Sequence, residues 1–397
     1  SDSRMSISMW AYPWDLEDCG IAYALDDMKA HGIDGVSMIT SYHAGRFLCI
    51  RSPKRKIYFP EDGVAYYPCD MKKFEHQRIQ PRQAQFSREH PDFWPKLFEE
   101  TEKRGMTVSG WTVCLHNTRI GMAYPDTCVH NAYGDAVYYN QCPSNPDVRT
   151  YMCTLLDDLC TQVPLDALEL ESMNFMGHAH EYHHEKDGIG LSGLQDFLLS
   201  ICFCDHCKAR ARAEGIDADA AQQAVHRMLA QLSETQFTKE ENERFFVQKL
   251  AFFENEPALY AFLKWRPSVV TSLVEEAHQA VGGRAKMYFL SLLPHSGSWL
   301  FGVDLKAITG LCEGALVCSY DCGTQKMEAD VRESQRDFAG GSKLLLGMRC
   351  FTPEYADGAA LIDKVRAARR MGVEDFRFYN YGLIPQSHLD WIREALQ

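Results

Sequence analysis

Residues 165–172, LDALELES, alternate apolar and acidic side chains with period two. That is the pattern of a short β-strand. It puts Glu169 and Glu171 on one face, with Leu168 and Leu170 on the other. The leucines suit a surface covered by helices, so the two acids must face inward. Inward acids are costly unless something uses them, because burial penalises the charged form. Glu171, nearer the C-terminal end, is placed to meet a substrate. Glu169, one layer deeper, is placed to hold an Arg or His.

Similar short apolar stretches recur on both sides of this one. RMSISMWAY (4–12), DGVSMIT (34–40) and MTVSGWTV (106–113) precede it. AKMYFLSLL (285–293), GALVCSYD (314–321), SKLLLGMRC (342–350) and EDFRFYNYG (374–382) follow. Between them lie helical patterns at 16–32, 91–105, 146–163, 305–311, 328–340, 358–372 and 389–397. A long loop follows the second strand, and a mostly helical insertion spans 190–282. Eight strands each followed by helix predict an α/β fold, a (β/α)8 TIM barrel, built as one catalytic domain over 1–397. No Gly-rich dinucleotide fingerprint follows the first strand, which argues against a doubly wound sheet and an organic cofactor.

The chain has 397 residues, 46% of them hydrophobic, enough for a large core. Its net charge of −13 argues against nucleic acid or an anionic membrane as partner. No apolar run approaches the roughly 18 residues that span a bilayer. The opening SDSRMSISMW is not built as a signal peptide. Fifteen cysteines without scaffold spacing suit a reducing, cytoplasmic setting. A homo-oligomer is compatible with all of this.

In a barrel, chemistry gathers at the C-terminal strand ends. Those ends carry Trp10, Tyr12 and Trp14; Tyr42 and His43; Trp111, His116 and Asn117; Glu169, Glu171 and Asn174. The later ends carry His295 and Trp299, Tyr320 and Asp321, Arg349 and Glu354, then Tyr379, Asn380 and Tyr381. Aromatic faces beside carboxylates, His and Asn suit a small carbohydrate, whose C–H faces stack on rings and whose hydroxyls need polar partners. Trp10, Trp111, Trp299 and Tyr381 are the candidate platforms. Cleavage of a glycosidic bond uses two carboxyl groups, one protonated and one ionised. Glu171 is the candidate acid or acid/base. Asp321 is preferred as nucleophile or base, with Glu354, Glu181 and Glu185 as alternatives.

Residues 177–188, GHAHEYHHEKDG, contain H-E-x-x-H at His180–His184, the spacing of zinc proteases on a helix. Gly177, Gly188 and Gly190 flank it and argue for a loop over the barrel mouth. There His178, His180, His183 and His184 would bind sugar hydroxyls. Two rival readings remain: a metal-dependent barrel enzyme on a sugar (isomerase, lyase or hydrolase) using His178–His184, and a non-catalytic sugar-binding barrel.

CFCDHC supplies Cys202, Cys204 and Cys207, three thiols that with one distant partner can hold a tetrahedral zinc. This segment is similar to the CYCPHC-like cluster of glycoside hydrolase family 42, barrel β-galactosidases. NQCPSNPDVRTY (140–151) is similar to that family's HYCPNSPVYR-like segment. The resemblance spans about 138–212 and implies a structural zinc with Cys142 as fourth ligand; Cys160 and His206 are the alternatives. Where the family ends strand four with Asn-Glu, this chain has Leu170-Glu171, and no Glu ends strand seven. The stretch from LDALELESMNF to CFCDHC also resembles uncharacterised barrel proteins labelled as glycoside hydrolases.

Overall fold

The computed structural model describes residues 6–180, 182–235 and 237–397. Eight strands form a closed parallel barrel: β1 (Ser6–Ala11), β2 (Gly35–Tyr42), β3 (Thr107–Val113), β4 (Ala167–Glu171), β5 (Lys286–Ser291), β6 (Gly314–Cys318), β7 (Lys343–Arg349) and β8 (Asp375–Tyr379). Each pairs with its sequence neighbours, and β1 closes the ring against both β2 and β8. The fold is a (β/α)8 TIM barrel, as the eight stretches predict. Of the first stretch, Arg4 and Met5 lie outside the described residues.

Several strands stop sooner than their apolar patterns suggest. β4 ends at Glu171 because Ser172 takes φ +56°. β8 ends at Tyr379, where Asn380 caps a turn by accepting from the Gly382 N–H at 3.1 Å. The single helix expected over 16–32 is two helices, Pro13–Cys19 and Ile21–Ala30, broken at Gly20 with φ +96°. Glycine alone takes that backbone angle without a steric penalty.

The long segment after β2 forms a hairpin, Phe47–Leu48 with Ile57–Tyr58, then lays Val64–Ala65 antiparallel on the end of β2. The insertion after β4 is helical at Gly193–Ser200, Asp205–Ala213, Ala218–Leu229, Lys239–Gln248 and Pro257–Trp265. Helix Pro267–Val281 then returns the chain to β5.

Inside the barrel the alternation of β4 is realised. Leu168 and Leu170 are buried outward, and Glu169 is fully buried inward. Glu169 accepts hydrogen bonds from Trp10 Nε1, Ser37 Oγ and Arg377 Nε, each at 2.8 Å. Arg377 is thus the cation that the sequence left unnamed. It sits between the outward Phe376 and Phe378, so the same period-two rule turns it inward. The bond to Trp10 aims the indole across the barrel towards β7. A Cβ at Gly347 would lie 3.1 Å from that ring, so glycine makes room for it.

Removing one partner of such a pair strands a buried charge. Arg377→Met is expected to lower stability by about 3–5 kcal/mol in urea unfolding, and Glu169→Leu with Arg377→Met to recover most of it. A loss below about 1 kcal/mol for the single change would contradict this assignment.

Candidate active site

Glu171 stands at the C-terminal end of β4, half-buried at the barrel mouth. Its backbone is held beyond the strand: its carbonyl accepts from the Cys114 N–H at 2.8 Å, and the next carbonyl, of Ser172, from the Leu115 N–H at 3.1 Å. Its carboxyl meets Trp111 Nε1 at 3.4 Å. Burial raises its pKa to about 7, the Trp111 hydrogen bond draws it down in part, and the charge of Glu169 adds to the rise.

Aromatic rings frame this carboxyl. Trp111 lies 5.9 Å from Trp10, 5.2 Å from Tyr42 and 5.7 Å from Tyr379 between ring centres. The Tyr12 hydroxyl bonds to Tyr42 at 2.9 Å and to Tyr379 at 2.8 Å. Burial raises the pKa of all three phenols, so they are neutral hydroxyls at ordinary pH. Tyr320 lies 6.4 Å from Tyr379, with the Arg349 guanidinium 4.6 Å over its ring.

On another side, histidines stack. His43 lies 4.2 Å from Tyr42 and 4.4 Å from His116, and His116 lies 4.6 Å from His180. Burial lowers all three pKa values, His116 to about 2 and His180 to about 4, so the rings are neutral at ordinary pH. His43 Nδ1 sits 2.7 Å from the Ala44 carbonyl and so carries the proton. Its Nε2 is left as an acceptor.

Beyond β6 and β7 the carboxylates differ in exposure. Asp321, at φ +53°, has a side chain 75% exposed and lies 3.2 and 3.3 Å from Arg349 Nη1. Glu354 is the opposite case. Its side chain is 4% exposed, its oxygens are buried, and they meet Lys364 Nζ at 3.6 Å and Arg349 Nη1 at 3.8 Å. Glu354, the alternative to Asp321 as nucleophile or base, is thus a buried wall group between two cations.

Other sequence candidates are also redirected. Glu169 is taken up by the barrel core, fully buried on Trp10, Ser37 and Arg377. Trp10 is 1% exposed and supports Trp111 from below, so it is no platform. Trp299 packs on Phe197 and Phe245 of the insertion. Tyr381 is buried with its hydroxyl on Asp27 at 2.9 Å. Asn117 caps the helix Thr118–Ala123, and Asn380 is buried as a turn cap. The Asn174 carbonyl accepts from Asn140 Nδ2 at 3.3 Å. His295 lies 3.9 Å from Asp304. His178, His183, His184 and Glu185 are exposed, and the segment at 182–190 is a loop rather than the helix a zinc protease needs. Glu181 lies outside the described residues. Tyr139, whose ring flanks His116 and His180, carries no strand-end signal in the sequence: it lies on the short strand Ala136–Gln141, which pairs with Cys128–His130 outside the barrel.

The cysteines converge as the resemblance implies. Cys142, Cys202, Cys204 and Cys207 are buried, with all four sulfurs within 4.8 Å of one another. Cys142 Sγ is 3.4 Å from Cys207, 3.8 Å from Cys202 and 3.6 Å from Cys204. Sulfurs around a tetrahedral zinc stand about 3.8 Å apart, given Zn–S of about 2.3 Å. Backbone N–H groups of Ser144 and Cys207 also point at the sulfurs, at 3.4 Å each. The donor set fits a metal. His206 is exposed, and neither it nor Cys160 joins the cluster. Among the described residues no other group of three His, Cys, Asp or Glu converges this way.

The architecture is a TIM-barrel fold that solved structures of glycoside hydrolases share. The glycoside hydrolase domain of PgaB (BpsB) from Bordetella bronchiseptica aligns with TM-score 0.60 at 13% identity, covering 99% of each chain. The catalytic domain of β-amylase from Paenibacillus polymyxa aligns with TM-score 0.58 at 9% identity, over 98% of this chain and 97% of that one. β-Galactosidase from the psychrophilic Marinomonas ef1 gives 0.58 at 9%, over 99% of this chain and 59% of that one. At these identities the likeness is one of fold. No family model matches the sequence, and no curated protein matches it. Among the described residues no helix is long and apolar enough to cross a membrane.

Metal analysis of the purified protein is expected to find about one zinc per chain. Cys204→Ser should lose it, and His184→Ala should keep it. Metal that follows His184 instead would move the site into the exposed loop.

Proposed function

We propose that the protein is a glycoside hydrolase acting on a small carbohydrate or glycoside, with Glu171 as the general acid. The observation that carries this reading is the raised pKa of Glu171, about 7, at the mouth of the barrel. A carboxyl that keeps its proton near neutral pH is what a leaving glycosidic oxygen requires. Asp321 is the second carboxylate. It is open to solvent beside Arg349, and free to attack the anomeric carbon or to deprotonate a water. Tyr379 and Tyr320 offer ring faces, and His43 Nε2 accepts from a sugar hydroxyl. Tyr42, Trp111 and His116 complete the wall, with His180 brought in from the loop after β4.

The four cysteines hold a structural zinc that fastens the insertion at 190–282 to the barrel. All fifteen cysteines are unpaired, which supports a reducing, cytoplasmic setting. The whole chain then works as one catalytic domain, with the chemistry confined to the barrel's own side chains.

A panel of aryl glycosides and short oligosaccharides should give turnover. Glu171→Gln should reduce kcat by roughly 10²–10⁴-fold with the fold intact. Full activity in that variant on a confirmed substrate would end the proposal. In the wild type the rate should fall as pH rises through about 7, where the acid loses its proton.

The same group makes a stability prediction of definite sign. Its folded pKa is raised, so the folded state resists ionisation, and stability declines as pH climbs from the ordinary carboxyl range through about 7. Glu171→Gln should therefore raise Tm at pH 8 and leave it nearly unchanged at pH 4. Equal shifts at both pH values would show that burial does not penalise this carboxylate.

A further inference from the structure

Tyr12 follows β1, while Tyr42 and Tyr379 are the last residues of β2 and β8. β1 lies between β8 and β2, so three neighbouring strands deliver three phenols to one side of the mouth. Ring contacts fix where the hydroxyls point. Between ring centres, Tyr12 stacks on Trp14 at 4.9 Å, Tyr42 stacks on His43 at 4.2 Å, and Tyr379 meets Trp10 in a T-shaped contact at 5.8 Å.

The Tyr12 hydroxyl bonds to Tyr42 at 2.9 Å and to Tyr379 at 2.8 Å, and those two are joined only through it. Three hydroxyls bring three protons, and two bonds use two of them. The third proton must leave the chain at one end. Tyr42 is 4% exposed, and among the described residues its hydroxyl has no second partner, so a proton turned outward there would be buried and unanswered. Tyr379 is half-buried and borders the mouth. The lower-energy arrangement therefore runs one way. Tyr42 donates to Tyr12, Tyr12 donates to Tyr379, and Tyr379 turns its proton into the mouth. Each bond in such a chain polarises the next, so the last donor is strengthened. No protein group among the described residues takes that proton. The Tyr379 ring lies 5.7 Å from Trp111, whose Nε1 meets the Glu171 carboxyl, so this donor stands one ring away from that carboxyl.

We infer that Tyr379 is the hydroxyl donor to an acceptor oxygen of the bound sugar, and that Tyr12 and Tyr42 are positioning residues that set the direction of its proton. This rests on the glycosidase reading above. His43 meets the opposite need, because its Nδ1 proton is held by the Ala44 carbonyl and its Nε2 can only accept. The mouth thus presents one fixed donor and one fixed acceptor, and a sugar is selected by which of its hydroxyls can answer each.

The first measurement needs no substrate. In an equal mixture of H2O and D2O, the Cζ signal of a [ζ-13C]tyrosine splits when its hydroxyl proton exchanges slowly and averages to one line when it exchanges fast. Tyr12 and Tyr42 should split and Tyr379 should give one line, with the signals assigned through Tyr12→Phe, Tyr42→Phe and Tyr379→Phe. Should Tyr12→Phe fail to fold, the other two assignments decide the direction. Slow exchange at Tyr379, which a closed ring of hydroxyls would give, or fast exchange at Tyr42 would overturn the inference. The second measurement uses 4-nitrophenyl glycosides in which each ring hydroxyl is replaced in turn by hydrogen. Wild type should lose roughly tenfold in kcat/KM at one ring position, and Tyr379→Phe should lose less than about twofold there. A mere loss of packing in Tyr379→Phe would slow every analogue alike and leave that preference standing, which would overturn the donor role. Wild type that shows the expected exchange yet turns over none of the parent glycosides would end the glycosidase reading, and the substrate role of Tyr379 with it.

Discussion

The ion pair of Glu169 with Arg377 is the contact on which the working end of the barrel depends. One carboxylate accepts from β1 through Trp10, from β2 through Ser37 and from β8 through Arg377. Four strands are thus joined by one group at the barrel axis. The indole it orients sits under Trp111 and Tyr379, and those two rings flank Glu171. The negative charge of Glu169 also adds to the rise in the Glu171 pKa. Two carboxyls two residues apart on one strand therefore have different surroundings: the deeper is paired with Arg377, and burial raises the pKa of the outer to about 7.

The mouth divides its chemistry by side. Glu171 and the three linked tyrosine hydroxyls form the floor. The neutral histidines 43, 116 and 180 form one wall, and Arg349 with Asp321 forms another. Arg349 also contacts Glu354, which in turn meets Lys364, and Lys364 donates to the carbonyls of Ser319 and Cys322 at 2.7 and 2.9 Å. The loops after β6 and β7 are thereby one connected unit, which holds Asp321 in place although its side chain is open to solvent.

Much of this was legible in the sequence because strand periodicity is a strong signal. The eight stretches, the inward turn of Glu169 and Glu171, and the convergence of Cys142 with CFCDHC all follow from spacing or resemblance. What could not be read was direction beyond a strand end. Trp299 and Tyr381 stand close after β5 and β8 in sequence, as a substrate platform should. The chain turns immediately after those strands and sends them into the insertion and onto Asp27. The density of histidines at 177–188 was similarly uninformative, since among the described residues only His180 packs on the rings of the barrel mouth. Arg377 carried a readable signal, alternating with Phe376 and Phe378.

The placement of the cysteines has a consequence for the unfolded polymer. Cys142 precedes β4 and Cys202 follows it, 60 residues later. A metal joining them closes a ring, and the strand that bears Glu171 lies inside that ring. Cross-link arithmetic assigns a closed loop of this size an entropy loss in the unfolded chain worth about 4 kcal/mol. The strand that carries Glu171 is thus a part of the barrel whose disorder such a ring would restrict, so metal supply would set how readily that segment finds its register.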